Sequence, residues 1–292
     1  MKYRMLAVTL AALAGFASAA RAEIGAVCQL MPCNGGPYAL GIIEDGDPGS
    51  QVWRRVSGIS AARVVLNAEG EAQGDGRPSL LFNTVSNLAM VAWSRHTAGG
   101  YDVVLSTFVG GAWTAPVTLA GSAADELDPS LAIDPADGTV HLVYWVLDAA
   151  PRVMHREAPA DLSAWSAPVQ VSDAFDKAAR PAAVVHGGLL RVIYEDHNPQ
   201  YGTTPRAIVL ATRSQGSFSY EVVGSTAHAE ANWPEAHSAF GVLWIEWIDG
   251  TDTMGWRREV GGTWEPVHGQ PYGSILERDY DVRGVIRRQA LQ

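Results

Sequence analysis

The sequence predicts an all-β fold, and three observations lead to this prediction. Charged residues make up only 18% of the 292 residues, whereas 30 glycines and 16 prolines indicate many short strands joined by tight turns. The ends also match, since WRRVSGISAARV at 53–64 aligns with WRREVGGTWEPV at 256–267. Similar segments open on prolines spaced 51, 52 and 53 residues apart, at Pro78, Pro129, Pro181 and Pro234. A unit of about 50 residues repeated along a chain is typical of a β-propeller.

Each repeat has the pattern of four short strands. After the proline comes an apolar run that ends in an aromatic residue, such as LAMVAW to Trp93 and VHLVYW to Trp145. A third run follows, and Gly110-Gly111 and Gly261-Gly262 then predict tight hairpins, because glycine adopts a positive φ at little cost. We expect the aromatic residues that open the fourth strands to cover the gaps between neighbouring units. These residues are Trp113, Trp165, Phe218 and Trp264.

The matching ends predict how the ring closes. The segment from Tyr38 to Asn67 would supply strands two to four of a further unit, and the tail from Leu276 to Leu291 would supply its first strand. This closure would remove the exposed sheet edges. The prediction is a single propeller over residues 38–292 with five four-stranded blades, or six blades if the tail adds more than one strand.

The first 22 residues are predicted to be a signal peptide. Lys2 and Arg4 precede an apolar run from Met5 to Ala20, and an A-x-A pattern at 20–22 predicts cleavage before Glu23. A membrane anchor is disfavoured because a spanning helix needs about 20 apolar residues and this run is shorter. The expected location is therefore secreted, either periplasmic or extracellular.

The two cysteines of the chain lie in the N-terminal segment 23–37. In an oxidising compartment, Cys28 and Cys33 are expected to form a disulfide that closes a short loop. A lipid anchor on Cys28 is the alternative, but Gly25-Ala26-Val27 lacks the apolar and small residues that a lipoprotein signal requires.

The charge of the chain limits its partners. A net charge of −10 disfavours nucleic acid and anionic membrane, which rely on clustered Lys and Arg. A structural calcium ion or a neutral polymer would suit this charge. No HExxH, nucleophile elbow, P-loop or dinucleotide motif is present, so no cofactor and no catalytic metal site are predicted. A monomer is expected.

One hairpin resembles the Asp-box (BNR-type) repeat of sialidase-like propellers. Ser106, Gly110 and Trp113 stand at the spacing of its Ser/Thr-x-Asp-x-Gly-x-x-Trp pattern, with Phe108 in place of the aspartate. A second, more degenerate copy runs from Arg257 to Trp264. The resemblance implies the fold and not an activity, because the Asp-box is a structural turn.

In a propeller, the loops that open each blade and the turns between second and third strands share one face near the axis, here called the mouth. The densest group there is Glu195-Asp196-His197, which could move protons or hold a cation, or could simply be a solvated loop tip. The candidate ligand-binding residues are Arg77, Arg95, His96, Asp128, Arg180, Glu195, Asp196, His197 and Arg278.

The resemblance also suggests how such residues would work. Sialidases grip a substrate carboxylate with converging arginines, and Arg77 and Arg180 directly precede two repeat prolines. Five-bladed furanosidases and arabinanases offer a second enzyme template, in which carboxylates lie on the blade-opening strands. The candidate catalytic carboxylates are Asp128, Glu195, Glu235 and Asp281.

Two functions from different classes remain open. The favoured hypothesis is a non-catalytic binding module that presents its mouth to a glycan or to an extracellular or cell-surface protein. It is favoured because neither enzyme family's residue set is complete. The alternative is a glycoside hydrolase that uses carboxylates of the blade-opening loops.

Overall fold

The computed structural model of the chain is all-β. It describes residues 29–33, 36–44, 52–57, 64–65, 76–110, 112–174, 177–197, 206–226, 234–239, 241–249, 253–260, 262–266, 276–280 and 286–290. Over these ranges the chain forms six antiparallel sheets, and the strands of each sheet are consecutive in the sequence.

Sheets 1 to 3 contain the first thirteen strands. Sheet 1 comprises β1 (Gln29–Cys33), β2 (Gly36–Glu44), β3 (Val52–Ser57) and β4 (Val64–Val65). Sheet 2 comprises β5 (Gly76–Asn83), β6 (Leu88–Thr97), β7 (Gly100–Val109), β8 (Ala112–Trp113) and β9 (Val117–Ala120), with both β8 and β9 paired to β7. Sheet 3 comprises β10 (Asp125–Ile133), β11 (Val140–Leu147), β12 (Arg152–Ala158) and β13 (Val169–Gln170).

Sheets 4 to 6 contain the remaining strands. Sheet 4 comprises β14 (Ala178–His186), β15 (Leu189–Asp196), β16 (Arg206–Ser214) and β17 (Ser217–Thr226). Sheet 5 comprises β18 (Glu235–Ala239), β19 (Val242–Asp249), β20 (Thr253–Val260) and β21 (Thr263–Pro266). Sheet 6 is a hairpin of β22 (Leu276–Tyr280) and β23 (Ile286–Ala290).

The first strands of consecutive sheets lie next to one another. Strand β10 contacts β5 and β14, and β14 in turn contacts β18. Serines that follow the repeat prolines link these strands: Leu131 N donates to Ser79 Oγ and Ala183 N donates to Ser130 Oγ, both at 3.0 Å. The first strands of sheets 2 to 5 therefore lie side by side, an arrangement consistent with the inner strands of a propeller.

Apolar side chains fill the interfaces between neighbouring sheets. One cluster joins Met90 of sheet 2 to Leu142 of sheet 3. Two further clusters join sheets 3 and 4 and sheets 4 and 5. The expectation for the aromatic residues of the fourth strands is confirmed for Trp165, Phe218 and Trp264, which each pack against one of these clusters.

The predicted Gly-Gly hairpins are also present. Val109 pairs with Ala112 and Val260 pairs with Thr263, so a two-residue turn joins the third and fourth strands in each sheet. The φ angles of Gly110 and Gly262 are 61° and 84°, in the left-handed region that glycine favours. The predicted positive φ angle is confirmed at these two described glycines.

A buried serine holds the Asp-box-like hairpin together. Ser106 is buried, and its Oγ donates to the backbone oxygen of Thr114 at 2.8 Å. Phe108, which replaces the aspartate, instead packs on Trp113 with ring centroids 5.6 Å apart. An aromatic contact thus stands where the sequence pattern has a carboxylate.

The first sheet differs from the prediction. Its first strand is β1, which lies within the segment 23–37, and not the C-terminal tail. The tail forms β22 and β23, which pair with each other. Cys33 pairs with Gly36, and so local a pairing costs far less loop-closure entropy than pairing the two chain ends.

The remaining N-terminal predictions fall outside the described residues. Cys33 is the last residue of β1, but Cys28 and the signal segment 1–22 are not described, so the disulfide and the cleavage site stay predictions. In the described part of the chain, no helix has the length and apolar character needed to cross a membrane.

Candidate functional site

The inner strands of sheets 2, 3 and 4 share a β-bulge beside the repeat proline. Their pairing with the second strand shifts register between residues 76 and 79, between 127 and 130, and between 179 and 182. Asp128 and Arg180 have φ angles of 49° and 53°, which side chains other than glycine rarely adopt. Such bulges redirect side chains and are common beside functional sites.

The bulge residues occupy equivalent positions near the starts of the inner strands. Because the serine bonds hold β5, β10 and β14 side by side, residues 77, 128 and 180 face the same end of the three sheets. The structure thus gathers the backbone positions of Arg77, Asp128 and Arg180 at the mouth.

Among the described residues, Glu195 is the centre of a closely bonded group at the mouth. Its side chain is 0% exposed, and Arg180 Nη1 donates to both of its oxygens, at 3.2 and 3.4 Å. His197 Nε2 lies 3.1 Å from Glu195 Oε2. The side chains of Arg180 and His197 are 22% and 34% exposed, so a buried carboxylate positions two donor groups that reach solvent.

The bulge explains why Arg180 reaches Glu195. Ala179 pairs with Glu195 in the β14–β15 ladder, and the register then shifts before Ala182. The residue in the bulge is therefore displaced toward the end of β15, where Glu195 lies.

The neighbouring loop is held by backbone contacts. Lys177 N donates to Asp196 Oδ1 at 2.9 Å, and His197 N donates to the Lys177 oxygen at 3.3 Å. Asp196 is fully buried. Its Oδ1 thus holds Lys177 at the start of the segment that leads into β14.

A second group lies where sheet 2 meets sheet 3. His96 and Tyr101 face each other across the β6–β7 turn, with ring centroids 5.0 Å apart. Tyr101 N donates to Asp125 Oδ1 at 3.0 Å, which ties this turn to the start of β10. Arg95 Nε is buried and finds no hydrogen-bond partner among the described residues.

Glu126 is a buried acid that the sequence analysis did not single out. It is 3% exposed, and Ser122 Oγ donates to its Oε1 at 2.6 Å. Burial raises the pKa of Glu126 above its usual range, and the nearby Asp102 and Asp125 add to this effect. The sequence did offer a signal for Glu126, because it is a carboxylate at the start of a blade-opening strand, close to Asp128.

The Glu126→Gln variant is expected to remove the part of the pH dependence of stability that comes from the Glu126 carboxyl group. A raised pKa means that the folded protein holds this proton more tightly than the unfolded chain does. The stabilisation is therefore complete below the unfolded pKa and is lost as pH rises through the raised folded pKa. Urea unfolding from pH 4 to 8 should show a shallower loss of stability in the variant, and parallel curves for both proteins would contradict this.

The other predicted residues are placed as follows. Glu235 pairs with Glu246 across β18 and β19, where Glu246 is 1% exposed. Arg278 lies in β22, opposite Arg288. Asp281 lies outside the described residues. The structure therefore joins Arg180, Glu195 and His197 by contacts, while Glu235 and Arg278 belong to other sheets.

Comparison with known proteins supports the fold. No protein-family model matches the sequence, and no curated protein does. Solved structures do match. A Hadza microbial sialidase has a TM-score of 0.53 and 12% identity over 76% of this chain and 54% of its own, so this chain spans about half of that one.

Two further solved structures show the same likeness. The intramolecular trans-sialidase of Ruminococcus gnavus has a TM-score of 0.52 and 11% identity, covering 68% of this chain and 71% of its own. An exo-β-1,3-galactanase of Phanerochaete chrysosporium has a TM-score of 0.55 and 16% identity, covering 88% and 70%. What they share with this chain is a propeller-type fold. The all-β prediction is thus confirmed, and sheets 1, 3, 4 and 5 have the four antiparallel strands that the repeats predicted.

Proposed function

We propose that this chain is an exported propeller protein that binds a glycan at its mouth without hydrolysing it. Arg180 and His197 would contact the sugar, and Glu195 would position them. The single observation that carries this proposal is the buried Glu195, whose two oxygens are engaged by Arg180 and His197.

The bonding of Glu195 favours binding over catalysis. A carboxylate that acts as nucleophile or base must reach the sugar carbon or a water molecule. Glu195 is 0% exposed and both its oxygens already accept hydrogen bonds, so it suits a positioning role. Arg180 and His197, in contrast, are partly exposed donors of the kind that bind sugar hydroxyl or carboxylate oxygens.

The fold supports a sugar as the ligand class. The matched structures include a sialidase, a trans-sialidase and a galactanase, which by their names act on sugars. Their low identity transfers no residue role to this chain. A non-catalytic relative that keeps the site but lacks the reacting carboxylates would retain glycan binding.

A glycan array and a panel of chromogenic glycosides test the proposal together. Wild-type protein should bind one class of glycan and release no chromophore. His197→Ala should weaken that binding at least tenfold because it removes a ligand contact, and Glu195→Gln should also weaken it because Arg180 loses its charged partner. Glu221→Gln, on the exposed outer strand β17, is the matched control and should bind as wild type does.

Two outcomes would overturn the proposal. Turnover that Glu195→Gln abolishes would make Glu195 a catalytic residue and the protein a glycoside hydrolase. Silence in both assays would instead indicate a protein partner at the mouth.

A further inference from the structure

A second polar cluster lies between sheets 3 and 4, at the end of sheet 3 remote from Asp128. It contains His141 near the start of β11, and His155 and Glu157 on β12. His141 is 6% exposed and His155 is 1% exposed, although both sit in an otherwise apolar interface. Polar side chains buried in this way need partners, and the partners present define what the cluster can bind.

Strand register brings the three side chains to one face of sheet 3. His141 pairs directly with Glu157, and Val143 pairs with His155. Residues two apart on a strand share a face, so His155 lies diagonally beside His141 on the side where Glu157 also projects. This face points toward sheet 4, since the His155 ring meets Phe218 at 6.2 Å between centroids.

The distances in the cluster are close to those around a metal ion. Metal–nitrogen bonds of 2.0–2.1 Å at tetrahedral angles place two ligand atoms roughly 3.3 Å apart. His141 Nδ1 lies 3.1 Å from His155 Nε2 and 3.7 Å from Glu157 Oε2. All three ligand atoms lie within 4.8 Å of one another, close enough for one ion to contact all of them after a small adjustment of the side chains.

Both imidazole rings are shielded from solvent, and this burial lowers the pKa of each. Burial, followed by the nearby His141 and Arg213, lowers the pKa of His155 to about 3. Burial also lowers the pKa of His141 below its ordinary value. His141 Nδ1 and His155 Nε2 face each other, so both rings present a nitrogen to the same point.

The surroundings of the three side chains suit a metal site with one open coordination position. Arg213 of β16 forms a two-point ion pair with Glu157, with Nη2 3.1 Å from Oε1, which orients the carboxylate. A cleft of about 270 Å³ opens beside His141, between sheets 3 and 4, and Asp134 and Arg213 also line it. Three protein ligands beside a cleft leave a fourth position for water or a small anion.

We propose that His141, His155 and Glu157 bind one divalent transition-metal ion of the zinc type, at a site separate from the mouth. Two imidazoles and one carboxylate are a ligand set that Zn²⁺ accepts, and the mixture of nitrogen and oxygen donors disfavours Ca²⁺ and Mg²⁺. The inference does not depend on the proposed glycan binding.

The test uses the full mature chain, stripped with a chelator and then titrated with ZnCl₂. Calorimetry should give one tight site per chain, and the thermal unfolding midpoint should rise with Zn²⁺ concentration, because the ion binds the folded state. Titration with Co²⁺ should give the intense visible absorption of a four-coordinate ion. His141→Ala should weaken Zn²⁺ binding by about 100-fold and abolish the Co²⁺ spectrum.

His186→Ala is the matched control. His186 is the last residue of β14 in sheet 4, and its Nδ1 lies 2.9 Å from Ser238 Oγ of sheet 5, outside the cluster, so its loss should leave Zn²⁺ affinity unchanged. The variant His155→Gln tests the more buried ligand, and circular dichroism checks that this variant folds. If it does not fold, the Zn²⁺ affinity of His141→Ala decides whether the cluster binds metal. Absence of Zn²⁺ binding by wild type, or equal affinity in His141→Ala, would show that the histidines form only a hydrogen-bonded pair.

Discussion

The Arg180→Ala variant is expected to lower the free energy of unfolding by about 3 kcal/mol, because it leaves the buried Glu195 carboxylate without its charged partner. The Glu195 side chain is 0% exposed, so its charge is compensated by protein groups and not by bulk water. The estimate takes the low end of the range for broken buried pairs, since Arg180 itself is 22% exposed and partly screened. Urea unfolding at pH 7 measures the difference.

Arg152→Ala is the matched control for this prediction. Arg152 Nη1 lies 2.7 Å from Asp148 Oδ2, but the two side chains are 32% and 34% exposed, so this pair should contribute less than about 1 kcal/mol. The double variant Arg180→Ala/Glu195→Gln should recover part of the loss, because no charge then stays buried. Equal stability of Arg180→Ala and Arg152→Ala would show that Glu195 does not depend on Arg180.

Replacing Gly138 by alanine is expected to lower the free energy of unfolding by about 2–4 kcal/mol, through overpacking and an unfavourable φ angle. Its φ is +79°, and an added Cβ would lie 2.8 Å from the Cβ atoms of both Val85 and Ala160. The Gly138 oxygen also accepts a buried hydrogen bond from Asn83 Nδ2 at 2.7 Å. Gly138 thus allows the β10–β11 turn of sheet 3 to pack closely against sheet 2.

Gly187→Ala separates the two causes. Gly187 has a φ of +60°, but nothing lies within 4 Å of an added Cβ, so only the backbone strain of about 1 kcal/mol should appear. The difference between the two variants then measures how tightly sheets 2 and 3 pack at Gly138. Equal losses in denaturant unfolding would contradict the close contact.

Local features of the fold could be predicted from the sequence because their physical cause is local. The Gly110-Gly111 hairpin follows from the positive φ that its turn requires, and Gly110 has it. The inward packing of Trp165 and Phe218 follows from their place in the repeat. The strand that completes sheet 1 was predicted wrongly, because a sequence match between the two ends does not show which segment pairs with β2.

The mouth could be predicted in outline but not in its bonding. Glu195 and His197 were recognisable as a dense polar group, and Arg180 as a residue before a repeat proline. Their ion pair depends on the bulge in β14, since the shift between residues 179 and 182 is what moves Arg180 toward the end of β15. A bulge of one residue has no reliable sequence signal of its own.

By itself, the sequence determined the repeat of about 50 residues, the all-β class and the turn chemistry, since these depend on residues close together in the chain. Only the tertiary structure decided which side chains meet. His141 and His155 are 14 residues apart and match no metal-binding motif, yet their nitrogens lie 3.1 Å apart. The reason is register: side chains alternate between the two faces of a strand, so a shift of one residue between β11 and β12 would have turned His155 and Glu157 away from His141.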